Sequence, residues 1–209
     1  EQKTSKFFPI AGLLVQSVEN SFAVFSTHKG GVGKIFRDGK LVYSDCGLVG
    51  KTSTGQKFIS QLEADFKISQ KNETLTIEGY TYEHSDLVFT PTKFLIFRVF
   101  VNWVGRFFPA NIVRKLLQKK AILKKKKQLP LRFKKTICLK TLKQIDWTLT
   151  LEDSALQIQE LWVGTDPTFI YTATSQPYQK GALLPWIDLS NTLEQLNEKR
   201  QASYQHSLQ

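Results

Sequence analysis

The sequence predicts an all-β protein, an antiparallel β-sandwich or supersandwich, with a basic two-helix insertion between its strands. Three observations carry this. Short runs rich in Val, Ile, Phe, Trp and Thr recur between turn residues on either side of the chain's middle. One pair of runs is joined by Asp-Gly, the chemistry of a tight hairpin. Between about 93 and 127 the spacing of polar residues changes from two to four. At 209 residues the chain is long enough to bury a core, and 41% hydrophobic with 12% aromatic residues excludes intrinsic disorder. Twelve Gly and seven Pro are too few for a collagen-like or low-complexity chain.

Residues 1–20 form an N-terminal segment ahead of a β-sandwich domain at 21–190. Ser21 to Thr27 is a β-prone run ending at Lys29-Gly30-Gly31. Gly33 to Arg37 meets Lys40 to Ser44 across Asp38-Gly39, where both turn residues tolerate positive φ. Lys57 to Ile68 alternates loosely. Glu73 to Tyr82 alternates cleanly, with Leu75, Ile77 and Gly79 on one side and Thr74, Thr76 and Glu78 on the other. After Pro130 come four more strand-like runs, at 131–139, 145–151, 156–163 and 168–174. Residues 191–209 read as a polar C-terminal tail, a helix start followed by a frayed end.

In Lys93 to Phe108 the polar residues Arg98, Asn102 and Arg106 fall four apart, one stripe of a helix whose remainder is almost wholly apolar. Pro109 ends that helix, and Asn111 can cap a second through Lys127. There Ile112, Val113, Leu116, Leu117 and Leu123 face one way, and Arg114, Lys115, Gln118 and Lys119 the other. The apolar run 94–108, broken by Arg98 and Arg106, falls short of the roughly 20 residues a spanning helix needs.

Charge is concentrated in the same place. Between Asp86 and Asp146 there is no acidic residue, yet the interval holds 16 Lys and Arg. The rest of the chain has 13 basic against 18 acidic residues, a net charge of −5 where the whole chain carries +11. An apolar helix face flanked by cations is the composition of an interfacial element. It makes Arg98, Arg106, Arg114, Lys115, Lys119, Lys120, Lys124, Lys125, Lys126 and Lys127 the candidate contacts to an anionic polysaccharide or an anionic lipid surface. The alternative is that 94–104 packs on the β core and leaves the lysines solvated. Nucleic acid is disfavoured, since basic and aromatic residues interleave without any recognised module motif.

Lys29-Gly30-Gly31-Val32-Gly33-Lys34 matches the deviant phosphate-binding loop of partitioning ATPases, but Ile35 stands where a hydroxyl should hold magnesium. The Asp38-Gly39 hairpin follows where a helix should begin. No nucleotide is therefore expected, and no cofactor is implied. His28, His84 and His206 are too scattered for a metal set, and His206 in the tail is expected at the surface. Tyr80, Tyr82 and His84 share one side of a strand, with Glu83 opposite; on an open face they would stack on a sugar or serve as acid and base. The plainer reading is an aromatic ladder at a strand end. Cys46 and Cys138 read as two small buried hydrophobes, or else as a single disulfide. Asn72-Glu73-Thr74 is a glycosylation sequon.

The stretches Lys29-Gly30-Gly31 through Phe36, Gly39 through Gly47, and Leu129 through Lys135 together resemble the C-terminal β domain of heparinase II/III-like polysaccharide lyases, which join an α/α toroid to a β-supersandwich. The resemblance implies an accessory β domain whose partner is a missing N-terminal domain of the same chain, with the catalytic groups elsewhere. The function expected is thus a non-catalytic β domain whose basic insertion contacts an anionic surface. The alternatives are part of a lyase-type enzyme, or a structural domain that docks its insertion on a neighbouring domain.

Overall fold

A computed structural model describes residues 4–61, 66–71, 73–84, 91–107, 111, 127–165 and 186–208. They form two antiparallel sheets. The five-stranded sheet is a simple meander of β1 (Thr4–Phe8), β2 (Leu13–Val18), β3 (Ser21–Ser26), β4 (Val32–Arg37) and β5 (Lys40–Asp45). The segment at 1–20 is therefore part of the fold, since β1 and β2 are its first two strands.

The nine-stranded sheet takes β6 (Leu48–Thr52), β7 (Lys57–Ile59), β8 (Lys67–Lys71), β9 (Thr74–His84), β10 (Gln128–Cys138), β11 (Gln144–Leu151), β12 (Ile158–Val163), β13 (Ile187–Asp188) and β14 (Gln201–Ser207). Its order is β13-β12-β6-β7-β9-β10-β11-β14. The long strand β9 pairs with β8 along its first half and with β7 along its last three residues. The loose pattern at 57–68 thus resolves into two separate short strands.

Local chemistry accounts for these elements. Asp38 and Gly39 have φ of 49° and 74°, and Arg37 pairs with Lys40 across them, so β4 and β5 form the two-residue hairpin that Asp-Gly favours. Along β10, and along β9 as far as Tyr82, burial alternates: Leu75, Ile77, Leu131, Phe133 and Ile137 face in. They join Leu14, Phe25 and Ile35 of the smaller sheet and Trp147, Leu149 and Leu161 of the larger in one core. The chain passes between sheets through Cys46-Gly47. Gly47 has φ +94°, and a Cβ there would lie 2.8 Å from Ser60 Oγ, so the crossover accepts only glycine without strain.

Part of the insertion lies within the described residues. Helix α1 spans Pro91–Phe107, and the proposed second helix falls almost wholly on residues outside those described. So do the strand expected at 168–174 and Asn72 of the sequon. The tail differs from expectation. A 3-10 turn and helix α2 (Leu193–Lys199) are followed by β14, which pairs with β11 over seven residues instead of fraying. Ala202 and Leu208 bury inward from it, an alternation too sparse in apolar residues to mark a strand by composition. Cys46 and Cys138 are half-buried and not joined in a disulfide.

Candidate functional site

Helix α1 carries the first candidate. Leu95, Ile96, Val99, Phe100 and Trp103 are all exposed, Trp103 to 71% and Leu95 and Ile96 to more than 60%. Their spacing of i, i+1, i+4, i+5 and i+8 places them on one contiguous arc. Arg98 and Asn102 are exposed beside that arc. For these five residues, packing on the β core is overturned. Of the other predicted cations, Arg106 lies in α1 and Lys127 is exposed just before β10, its carbonyl accepting from the Glu83 amide at 2.8 Å. Arg114, Lys115, Lys119, Lys120, Lys124, Lys125 and Lys126 lie outside the described residues. Among the described residues, no helix is long and apolar enough to cross a membrane.

Tyr80, Tyr82 and His84 do alternate along one side of β9, opposite Gly79 and Thr81. They do not form an open site. The Tyr80 hydroxyl donates to Glu152 Oε1 at 2.9 Å, which raises its pKa. Tyr82 is half-buried beside Ile59 in the register, and His84 is buried.

The same outward side of β9 to β11 and β14 is polar throughout. Tyr80, Arg132, Thr150 and Gln201 make one row across four strands, and Glu78, Lys134, Thr148 and Ser203 the next. Glu78, Arg132, Lys134, Thr148, Thr150 and Gln201 line an open depression of about 590 Å³. Its charges already satisfy one another: the Arg132 guanidinium meets Glu78 at 2.5 Å and Lys134 approaches the same carboxylate at 3.6 Å. The Arg132 hydrogen bond holds the Glu78 carboxyl below the usual range.

Sequence reasoning missed a fully buried polar cluster between the sheets. Lys135, facing in from the central strand β10, is paired with Asp45 at the end of β5, and both side chains are wholly buried. The ammonium also donates to the Gly31 carbonyl at 2.5 Å and stands 4.9 Å from the Trp147 ring centre. Asp45 accepts in addition from the Tyr43 hydroxyl at 3.1 Å and the Gly47 amide at 2.6 Å. One lysine thereby ties the large sheet to the crossover and to the β3–β4 turn of the small sheet. Burial pushes Lys135 below the usual lysine range, with Asp45 opposing, and burial raises Tyr43 well above its ordinary value. His206 closes the cluster from the side of β14. Its ring lies 5.3 Å from that of Tyr43 and it is half-buried, not at the surface as expected. Burial lowers its pKa, and Asp45 partly offsets this.

The glycines of Lys29 to Lys34 serve this architecture. Gly30 and Gly31 turn the chain at φ of 71° and 77°, and a Cβ on Gly31 would press on Ile77 at 2.6 Å. A Cβ on Gly33 would meet Phe25 at 2.4 Å. A strand, β4, follows the loop where a phosphate site needs a helix. Among the described residues, no three His, Cys, Asp or Glu side chains converge to hold a metal ion.

The signal for the buried pair was present but faint. In 129–137 every second residue is apolar except Lys135, the single charged side chain in an inward register. No protein-family model, no curated protein and no solved structure matches this chain. The resemblance to the lyase β domain accordingly carries no argument about activity.

Proposed function

We propose that this chain is a non-catalytic β domain that binds the surface of an anionic membrane, with α1 lying in the headgroup layer. The observation that carries the reading is the exposed arc of Leu95, Ile96, Val99, Phe100 and Trp103 with Arg98 beside it. An exposed arc of this kind is costly in water and well suited to the boundary between headgroups and acyl chains, where Trp is at home. Each such side chain brings on the order of 1.5–3 kcal/mol when fully buried. The acid-free interval from 87 to 145 supplies cations for the lipid, at up to about 1 kcal/mol each. At 17 residues α1 suits lying along the surface better than crossing it. Strands β9 and β10 flank the insertion in the chain.

Co-sedimentation with vesicles of equal phosphatidylcholine and phosphatidylserine, titrated with salt, tests this. The protein is expected to pellet with the vesicles, to weaken as salt rises and to retain part of its binding at high salt. The paired substitution Leu95→Gln and Trp103→Gln is expected to remove the salt-resistant part, with affinity falling by about a hundredfold, or about 2.7 kcal/mol. Failure of the native chain to pellet, or an unchanged affinity in the variant, overturns the proposal.

A further inference from the structure

The outward face of the five-stranded sheet is apolar, the reverse of what a solvated antiparallel sheet shows. Strand register assigns its residues. Phe8 and Leu13 share one row with Ser26 and Val32. Val15 and Val24 lie between Lys6 and Lys34 in the next, and Phe22, Phe36 and Leu41 share a third with Thr4 and Ser17. None of these points into the core. Phe22 is 43% and Leu41 39% exposed, and the Phe22 and Phe36 rings stand 6.5 Å apart. At one end the β1–β2 turn lifts Ile10 into solvent, 98% exposed.

The charges on this face have one sign. Among the described residues, Lys6 and Lys34, both exposed, are its only ionisable side chains, and the Lys6 ammonium sits 5.0 Å over the Phe8 ring. The acidic turn residues Glu19 and Asp38 are at the opposite end of the sheet from Ile10, as the strand directions require. A contiguous apolar face marks a contact surface, and its cationic pair selects an anionic partner.

We infer that the outward face of β1 to β5, with Ile10 at its tip, is a second contact to an anionic lipid surface. The inference rests on the membrane-binding reading of α1. On this view aliphatic and aromatic side chains enter the headgroup boundary while Lys6 and Lys34 reach lipid phosphates and carboxylates. A second copy of the chain is the rival occupant, and solution mass separates the two.

The test compares four proteins on the same phosphatidylcholine and phosphatidylserine vesicles: native, Phe22→Gln with Leu41→Gln, Lys34→Glu, and the α1 pair Leu95→Gln with Trp103→Gln. The Phe22 and Leu41 substitutions are expected to weaken vesicle binding about tenfold, since two half-exposed side chains lose their transfer into the interface. Lys34→Glu changes an exposed side chain without touching the core, so its folding is secure. It is expected to weaken binding severalfold at low salt and little at high salt. Loss in both sheet variants supports the inference. Loss in the α1 variant alone overturns it and leaves the proposed function standing. Unchanged binding in the α1 variant with loss in the sheet variants overturns the role of α1 and keeps the sheet contact. A native dimer by sedimentation velocity that Phe22→Gln with Leu41→Gln converts to monomer, with vesicle binding unchanged, assigns the face to a second copy and overturns the lipid contact.

Discussion

Turned outward, the five-stranded sheet shows Phe8, Val15, Phe22, Val24, Phe36 and Leu41, whereas the nine-stranded sheet shows Thr136, Thr148, Thr150, Gln201, Arg132 and Lys134. Turned inward the two are alike: both contribute to one apolar core that holds the buried pair of Lys135 and Asp45. The polar face is solvated, and Arg132 and Lys134 already share the Glu78 carboxylate. The apolar face has two exposed lysines and, among the described residues, no carboxylate, the features on which the proposed lipid contact rests. The difference therefore separates a face whose charges pair within the fold from one that is proposed to be covered by binding.

The largest way to break the comparison is to separate the inward faces that make the two sheets one body. Lys135→Ala leaves Asp45 buried without its cation and is expected to cost about 3–5 kcal/mol in urea unfolding. The double variant Lys135→Met with Asp45→Asn keeps an acceptor for the Gly47 amide and offers the Tyr43 hydroxyl oxygen a donor in place of an acceptor, and is expected to recover much of that loss. Recovery in the double variant assigns the cost to the unpaired charge; equal loss in both would assign it to packing against Trp147 instead.

A smaller effect sharpens how the shared interior answers to acid. His206 has its pKa lowered by burial from 6.5, so the unfolded chain takes up the proton before the folded chain does. Stability is then unpenalised above 6.5, and falls as pH drops through that value toward the lower folded pKa. His206→Gln is expected to flatten the dependence of melting temperature on pH just below neutrality. A slope unchanged by the substitution would place the acid sensitivity elsewhere.

The smallest effect belongs to the polar face. Glu78→Gln removes the anion shared by Arg132 and Lys134, and because all three are partly solvated the expected loss is about 0.2–1 kcal/mol. Glu78 has a lowered pKa, so its contribution is present above the ordinary value of 4.5 and is lost as pH falls through the folded one. Vesicle binding should stay at the native level, in contrast to substitutions at Phe22 and Leu41. A large change in either quantity would dissolve the distinction between the two outward faces.

What could be read in advance was local. Asp38-Gly39 specified its own hairpin because two adjacent residues tolerant of positive φ suffice for that turn. The alternation of Leu75, Ile77 and Gly79 placed β9, and the spacing of Arg98, Asn102 and Arg106 placed α1. β14 escaped because Gln201 to Ser207 has little apolar alternation, its pairing being set by the neighbouring strand β11. His206 was misplaced for the same reason, since a residue on an unrecognised strand cannot be assigned a side.

The sequence by itself determined the strand-rich class, the helix at the centre and the cationic, acid-free interval around it, because propensity, periodicity and net charge are properties of neighbouring residues. Tertiary structure alone decided that Asp45 and Lys135, 90 residues apart, meet in the core. It also decided that alternate residues of β1 to β5, apolar on both sides, leave one apolar side turned outward. Which of two apolar sides is buried depends on where the second sheet lies, and that is a long-range fact no local pattern contains.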